Sequence, residues 1–158
     1  MRIAVFSDSH DHLDALNHAL AMLPDLQPDL LIHLGDIVSP FAARLLPKAR
    51  VPVRCVFGNN DGEKAGLAGI LDILEPPRPL VLEGRRLLLL HDAAFSERDE
   101  REHDFILHGH THQIRDETRG QCRILNPGVL CGWLTGTVSF LLLDLPAGRA
   151  EWIRFARK

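Results

Sequence analysis

Five short apolar runs, at residues 2–6, 29–34, 53–57, 86–90 and 105–108, each read as a β-strand and each lead into a loop bearing metal-type side chains. The first delivers Asp8 and His10, the second Asp36, the third Asn59, the fourth His91, and the fifth His110 and His112. In open α/β sheets the ligand crevice lies beyond the carboxyl ends of the strands, so residues remote in sequence are expected to meet there. The runs lack a clean apolar/polar alternation, which suits sheets covered on both faces.

Helices are expected between the strands. Leu13, Leu16, Leu20 and Leu23 recur at helical spacing, with Asp11 and Asp14 placed to cap and charge the first turn and Pro24 ending the segment. Ser39 and Pro40 read as N-cap and first helical residue of a second helix running through Leu46. A short helix over 67–74 and an extended connection through the proline-rich 76–79 run follow. Beyond residue 113 the chain turns strand-rich, with runs at 114–118, 122–125, 137–145 and 149–155 separated by glycine-bearing turns, and an antiparallel arrangement is expected. The fold class that follows is α/β: two facing mixed β-sheets flanked by helices, a four-layer α/β/β/α sandwich forming a single domain over 1–158.

Charge and cysteine usage narrow the function classes. A formal net charge of −3 provides no electrostatic footprint for a nucleic-acid backbone or an anionic membrane, so no long nucleic acid is expected as a partner. Cys55, Cys122 and Cys131 are odd in number and lack Cys-x-x-Cys spacing, so they read as buried free thiols. With a first strand read from residue 2 no signal peptide is expected, and no apolar stretch approaches the ~18 residues needed to span a bilayer. A cytoplasmic protein is expected, with a homo-oligomer left open.

The polar loops carry the chemistry. Two divalent metals about 3.5–4 Å apart need a carboxylate that bridges both, with imidazole, amide and carboxylate donors completing each shell. The Leu34-Gly35-Asp36 turn can present such a bridge, while Asp8 with His10, and His110 with His112, sit two apart and could grip one metal or serve one each. Oxygen and nitrogen donors without thiolate admit manganese, iron, zinc, nickel or cobalt, and the affinity series alone does not choose among them; manganese is the ion expected. A hydroxide held between two such ions attacks phosphorus at neutral pH, making a small phosphoester the expected substrate.

In order, Asp8-Ser9-His10, Gly35-Asp36, Gly58-Asn59-Asn60-Asp61, His91 and Gly109-His110-Thr111-His112 resemble the calcineurin-like metallophosphoesterases. Asn126-Pro127-Gly128 resembles a turn of their small single-domain bacterial and archaeal phosphodiesterase branch, extending the resemblance over nearly the whole chain. The resemblance implies that Asp8, His10 and His112 hold a first metal, that Asp36 bridges, and that Asn59, His91 and His110 hold a second. It makes Asp36, Asn59, Asn60 and His91 the catalytic set, with Asn59 and Asn60 also facing phosphate oxygens and Asp61 bracing its loop.

The chain departs from that pattern at several places. Family members commonly carry His directly after the ligating Asn, where it protonates the leaving oxygen, and Asp three residues past the bridge to orient it. Asn60 and Ser39 stand there instead, so no side-chain acid of that kind is expected and substrates with good leaving groups are favoured. Asp92 follows His91 where relatives often have Gly, and Val129 follows the Asn-Pro-Gly turn where they often have Ser.

Other candidates take blander readings. His12, His18 and His103 read as caps or surface groups, and His33 and His108 as satisfied core histidines. Trp133 could line the crevice mouth or pack in the core, and Arg115, Arg119 and Arg123 read as a solvated charged face. The alternative to an enzyme is a phosphoesterase-fold binding module with weak or no catalysis, as in the retromer subunit that resembles this fold. Retention of all seven ligand types favours the enzyme.

Overall fold

The computed structural model describes residues 1–156. In chain order the first half runs β1 (Arg2–Phe6), α1 (Leu13–Leu26), β2 (Leu30–His33), α2 (Pro40–Ala43), a 3₁₀ turn (Leu46–Ala49), β3 (Val53–Val56), α3 (Lys64–Ala68) and β4 (Ile73–Leu74). The second half runs β5 (Arg78–Leu82), β6 (Arg85–Leu89), α4 (Glu97–Glu102), β7 (Phe105–Leu107), β8 (Ile114–Arg119), β9 (Cys122–Pro127), β10 (Thr137–Asp144) and β11 (Arg149–Ala156).

The strands form two mixed sheets, ordered β11-β10-β1-β2-β3-β4 and β5-β6-β7-β9-β8. In the first, β1 to β4 are parallel and β10 and β11 extend it antiparallel. In the second, β6, β7 and β9 are parallel, with β5 and β8 as antiparallel edges.

Alternation along β1 sets the layering, because successive side chains in a strand face opposite ways. Ile3 and Val5 join Ile32, Leu34, Leu87, Leu89, Leu107 and Leu125 in the buried layer between the sheets. Ala4 and Phe6 face the other way, onto Leu16, Leu20 and Leu23 of α1. Phe6 meets Phe140 of β10 edge to face, with ring centroids 5.0 Å apart. Each such side chain taken fully out of water contributes about 1.5–3 kcal/mol, so both layers hold the loops at the strand ends firmly. On the outer face of the second sheet, Phe95 packs over Leu88, Leu90, Ile106 and Ile124.

Several local expectations are revised. The first helix runs through Pro24 to Leu26 and stops at Gln27, whose φ of 49° is left-handed. Its N-cap is His12, whose Nδ1 accepts from the Ala15 amide at 3.3 Å, while Asp11 turns away to accept from Ser39. Ser39 and Pro40 do start α2, but the helix lasts four residues before the 3₁₀ turn takes over. The expected helix over 67–74 is replaced by α3, which begins at Lys64, and by the short strand β4, which pairs with β3. The proline-rich connection enters β5, which pairs with β6 as a hairpin. The C-terminal third is antiparallel except that β9 lies parallel to β7. Helix α4 carries no apolar periodicity to announce it, and Ser96 and Asp99 form a reciprocal capping box at its start.

Candidate metal centre

Every ligand-type residue singled out in the sequence sits just beyond a strand end, and the loops carrying them are stitched together by main-chain bonds. The Asp8 amide donates to Gly35 O at 3.1 Å and the His10 amide to Asp36 O at 3.0 Å, joining the loops after β1 and β2. Leu130 and Cys131 amides donate to Ser7 and Asp8 carbonyls at 3.0 Å, clamping the first loop from its other side. Asp8, His10, Asp36, His110 and His112 all have left-handed backbones, with φ of 55°, 41°, 58°, 63° and 58°. Such conformations cost roughly 1–3 kcal/mol each and persist where the surroundings over-determine them, as at sites that must aim a side chain.

The side chains gather into two adjoining groups. In Asp8, His10 and His112 the ligand-type atoms all lie within 4.8 Å of one another, as they do in Asp36, His91 and His110. Asp36 Oδ2 lies 3.6 Å from His10 Nε2 of the first group and 3.5 Å from His91 Nε2 of its own, so one carboxylate faces both. Asn59 Oδ1 is 2.8 Å from His91 Nε2, which brings the amide to the second group. Across each group, imidazole nitrogens face one another: His10 Nε2 and His112 Nε2 at 3.3 Å, His110 Nδ1 and His91 Nε2 at 3.2 Å. Each group combines residues from both sheets, with Asp8, His10, Asp36 and Asn59 following β1 to β3 and His91, His110 and His112 following β6 and β7.

The electrostatics fit cations. Asp8 Oδ1 is buried with no hydrogen-bond partner among the described residues, and its neighbours are His112 Nε2 at 3.3 Å and His10 Nε2 at 3.8 Å. Its other oxygen accepts from the Ser7 hydroxyl at 2.5 Å and the His110 amide at 3.0 Å. Burial pushes the Asp8 carboxyl up, but His112 and Ser7 outweigh it and hold it below the ordinary value. Burial also opposes ionisation of Asp36, yet His91 and the two hydrogen bonds from Asn60 keep it well below the carboxylate range. His91 is raised in spite of its burial, by Asp36 and the Leu34 carbonyl, and His112 is raised by Asp8. A potential that holds protons on imidazoles also attracts divalent ions, whose binding displaces those protons. An orphaned carboxylate oxygen among converging imidazoles is a donor set suited to such ions.

An outer layer holds the donors in place. His91 Nδ1 lies 2.8 Å from Leu34 O, a contact that directs an Nδ1–H there and would leave Nε2 as the ligand atom once its own proton is displaced by an ion. Asp61, fully enclosed, accepts from the Asp36 amide at 2.9 Å and the Gly58 amide at 2.7 Å through one oxygen, and from the Val38 amide at 2.7 Å through the other. Asn60 donates its main-chain amide to Asp36 Oδ1 at 2.8 Å and its side-chain amide to Oδ2 at 2.7 Å. The loops touch so closely that a Cβ on Gly35 would lie 2.6 Å from Gly58 N and 2.7 Å from His91 Nδ1.

The structure brings together Asp8, His10, Asp36, Asn59, His91, His110 and His112, with Asn60 beside Asp36. Ser39 caps α2 and donates its hydroxyl to Asp11. His33 is wholly buried with Nε2 3.1 Å from Ser9 Oγ and Nδ1 unpartnered among the described residues, while His108 contacts Gly109 O, Arg115 and Asn126. His18 is exposed against Phe155, and His103 Nδ1 meets Asp99 O. Arg115, Arg119 and Arg123 pair with Glu117, Glu100 and Asp116 in a charged face. Trp133, half exposed, sets its ring 4.3 Å from that of His12 and its Nε1 3.5 Å from His10 O. The supporting roles of Ser7 and Asn126 escaped sequence reasoning. Asn126 donates to Gly109 O at 2.8 Å and Thr111 Oγ1 at 3.1 Å, holding the loop of His110 and His112, and the Asn-Pro-Gly turn was its only signal.

Residues 1–148 match the calcineurin-like phosphoesterase superfamily domain. The chain belongs to that superfamily. Phosphodiesterase MJ0936 of Methanocaldococcus jannaschii is 29% identical over 154 residues, spanning 91% of this chain and 93% of its own. Phosphodiesterase YfcE of Escherichia coli is 27% identical over 144 residues, 81% of this chain and 78% of its own. A solved structure characterised as a novel archaeal phosphodiesterase superposes with a TM-score of 0.91 at 27% identity, covering 98% of this chain and 100% of that one. The superposition covers nearly the whole chain, and with it both sheets and the loops that carry the two metal-type groups.

Proposed function

We propose that this protein, a single domain over 1–158, hydrolyses small phosphoesters with the help of two divalent metal ions, taking diesters in preference to monoesters. The observation that carries the reading is Asp36 Oδ2, which faces His10 of one group and His91 of the other. Asp8, His10 and His112 would hold one ion and Asn59, His91 and His110 the other, with Asp36 shared. Bound there, such ions supply Lewis acidity toward phosphoryl oxygens and lower the pKa of water toward neutrality.

The residues of the chain supply orientation. Asn60 fixes both oxygens of Asp36, and Leu34 O fixes the ring of His91. Neither Asn60 nor Ser39 carries a proton that titrates near neutrality, so the leaving oxygen departs without an imidazole acid at position 60. Such an acid typically contributes ~10²–10⁴-fold, which makes turnover here strongly dependent on the leaving group. Manganese is the proposed resident ion, in keeping with an oxygen- and nitrogen-only donor set. The cytoplasm is the proposed compartment, in keeping with three buried, unpaired cysteines.

Metal analysis of the purified protein, with manganese-stimulated hydrolysis of bis(4-nitrophenyl) phosphate, tests the reading. Asp36→Asn and His91→Ala are each expected to lower turnover by more than the ~10–100-fold that loss of an outer hydrogen-bond partner costs. Activity that survives both substitutions overturns it.

A further inference from the structure

Two recesses of nearly equal size flank the metal-type groups, one beside each. The first, about 330 Å³, opens beside His112 and includes Ile114, Val129, Thr135, Thr137 and Arg154. The second, about 310 Å³, opens beside Asn59, His91 and His110 and includes Lys64, Glu75 and Asp92. Ligand sites usually measure ~300–1,000 Å³, so each recess takes one small group and neither takes a polymer.

Their chemistry differs. Beside His112 the lining joins Ile114 and Val129 to Gln113, Ser139 and the two threonines, is mostly apolar, and has Arg154 as its charged residue. A guanidinium plane stacks on aromatic faces, so this recess suits a flat apolar group. The Asn-Pro-Gly turn leads into Val129 here, where a serine would have added a hydroxyl. Beside His91 the lining mixes Phe57 and Pro76 with a larger polar share than the first recess has: Lys64 Nζ donates to Glu75 Oε1 at 2.7 Å and sits 5.1 Å from the Phe57 ring centroid, while Asp92 stands exposed in the same recess. The Lys64–Glu75 pair and the Asp92 carboxylate offer donors and acceptors to a hydroxyl-bearing group.

We propose that the two recesses seat the two arms of an unsymmetrical small phosphodiester, an aromatic arm against Ile114 and Arg154 beside His112 and a hydroxylated arm against Lys64 and Asp92 beside His91. The proposal rests on the phosphodiesterase reading and deepens it, since a monoester would leave one recess unfilled. Ile114 and Lys64 then act as specificity-determining residues, each for one arm.

Calorimetric binding to the manganese-loaded protein tests this, with phenylphosphonate as the aromatic probe, glycerol 3-phosphate as the hydroxylated probe and methylphosphonate as the reference. Wild type should bind both probes more tightly than methylphosphonate. Ile114→Ala should reduce the phenyl preference about tenfold, in line with the loss of apolar contact in a pocket, and leave the glycerol preference in place. Lys64→Met should do the reverse. Both residues are exposed, and unchanged thermal midpoints would verify folding. A wild type with no preference for either probe, or variants that lower both preferences equally, overturns the proposal. Turnover of bis(4-nitrophenyl) phosphate on the same samples separates the two readings: selective binding without turnover counts against the hydrolase alone, and turnover without selectivity counts against the seating alone.

Discussion

Replacing Asp61 by alanine removes the single carboxylate that receives the amides of Val38, Asp36 and Gly58. The bonds from Asp36 and Gly58 are buried, and an amide stranded without a partner in such a place costs about 1–3 kcal/mol. The Val38 bond is only partly buried, so water replaces that partner at small cost. The sum is roughly 2–6 kcal/mol, a large share of the ~5–15 kcal/mol that separates a typical domain from its unfolded state. Asp61→Asn keeps one carbonyl oxygen, which can serve Asp36 and Gly58 while Val38 turns to water, for a cost of about 1 kcal/mol. Urea denaturation should therefore rank wild type, Asp61→Asn and Asp61→Ala in that order, with midpoints shifting and slopes unchanged. The alanine variant should also bind manganese more weakly, since Asp36 is held in a left-handed conformation through the same amide. An alanine variant within ~1 kcal/mol of wild type, or an asparagine variant as damaging as alanine, would refute the bracing argument.

Three further outcomes are expected. Burial pushes the pKa of His33 down from 6.5 to about 4, so the unfolded chain binds a proton that the folded one refuses across that window. Stability should accordingly fall as pH drops from 6.5 toward 4, by up to ~3 kcal/mol at 1.36 kcal/mol per unit, and acid titration of a His33→Gln variant should show a shallower slope. A Cβ on Gly58 would overlap the Asp36 carboxylate and main chain; Gly58→Ala should lose manganese affinity by at least the ~10–100-fold of an outer-layer defect, measured by metal titration. Chelation should lower the thermal midpoint, because an ion present at a hundred times its dissociation constant stabilises the folded state by about 2.7 kcal/mol; identical melting with and without chelator would contradict the cation assignment.

Much of the site was legible because its signal is positional. Asp8, Asp36, His91 and His110 each follow a short apolar run, and the topology of parallel strands brings their ends together. Less legible were elements whose identity depends on packing. The segment after Gly66 carries apolar residues that suit a helix, yet Ile73 and Leu74 finish as a strand because the edge of β3 is there to pair with them. Pro24 sits in the last turn of α1, where the loss of one amide donor is tolerated, so it did not end the helix. Asp11 looked like a cap from spacing alone, but Ser39, 28 residues away, claims its carboxylate and leaves the cap to His12. Contacts of that range leave no trace in local periodicity.

Because each group draws donors from both sheets, bound ions would act as rivets between layers that otherwise adhere through non-directional apolar contact. A small slide of one sheet over the other would pull Asp8 away from His112 and Asp36 away from His91. Occupancy should therefore stiffen the sandwich against shear, and neither half of the chain, expressed alone, should retain a complete coordination set.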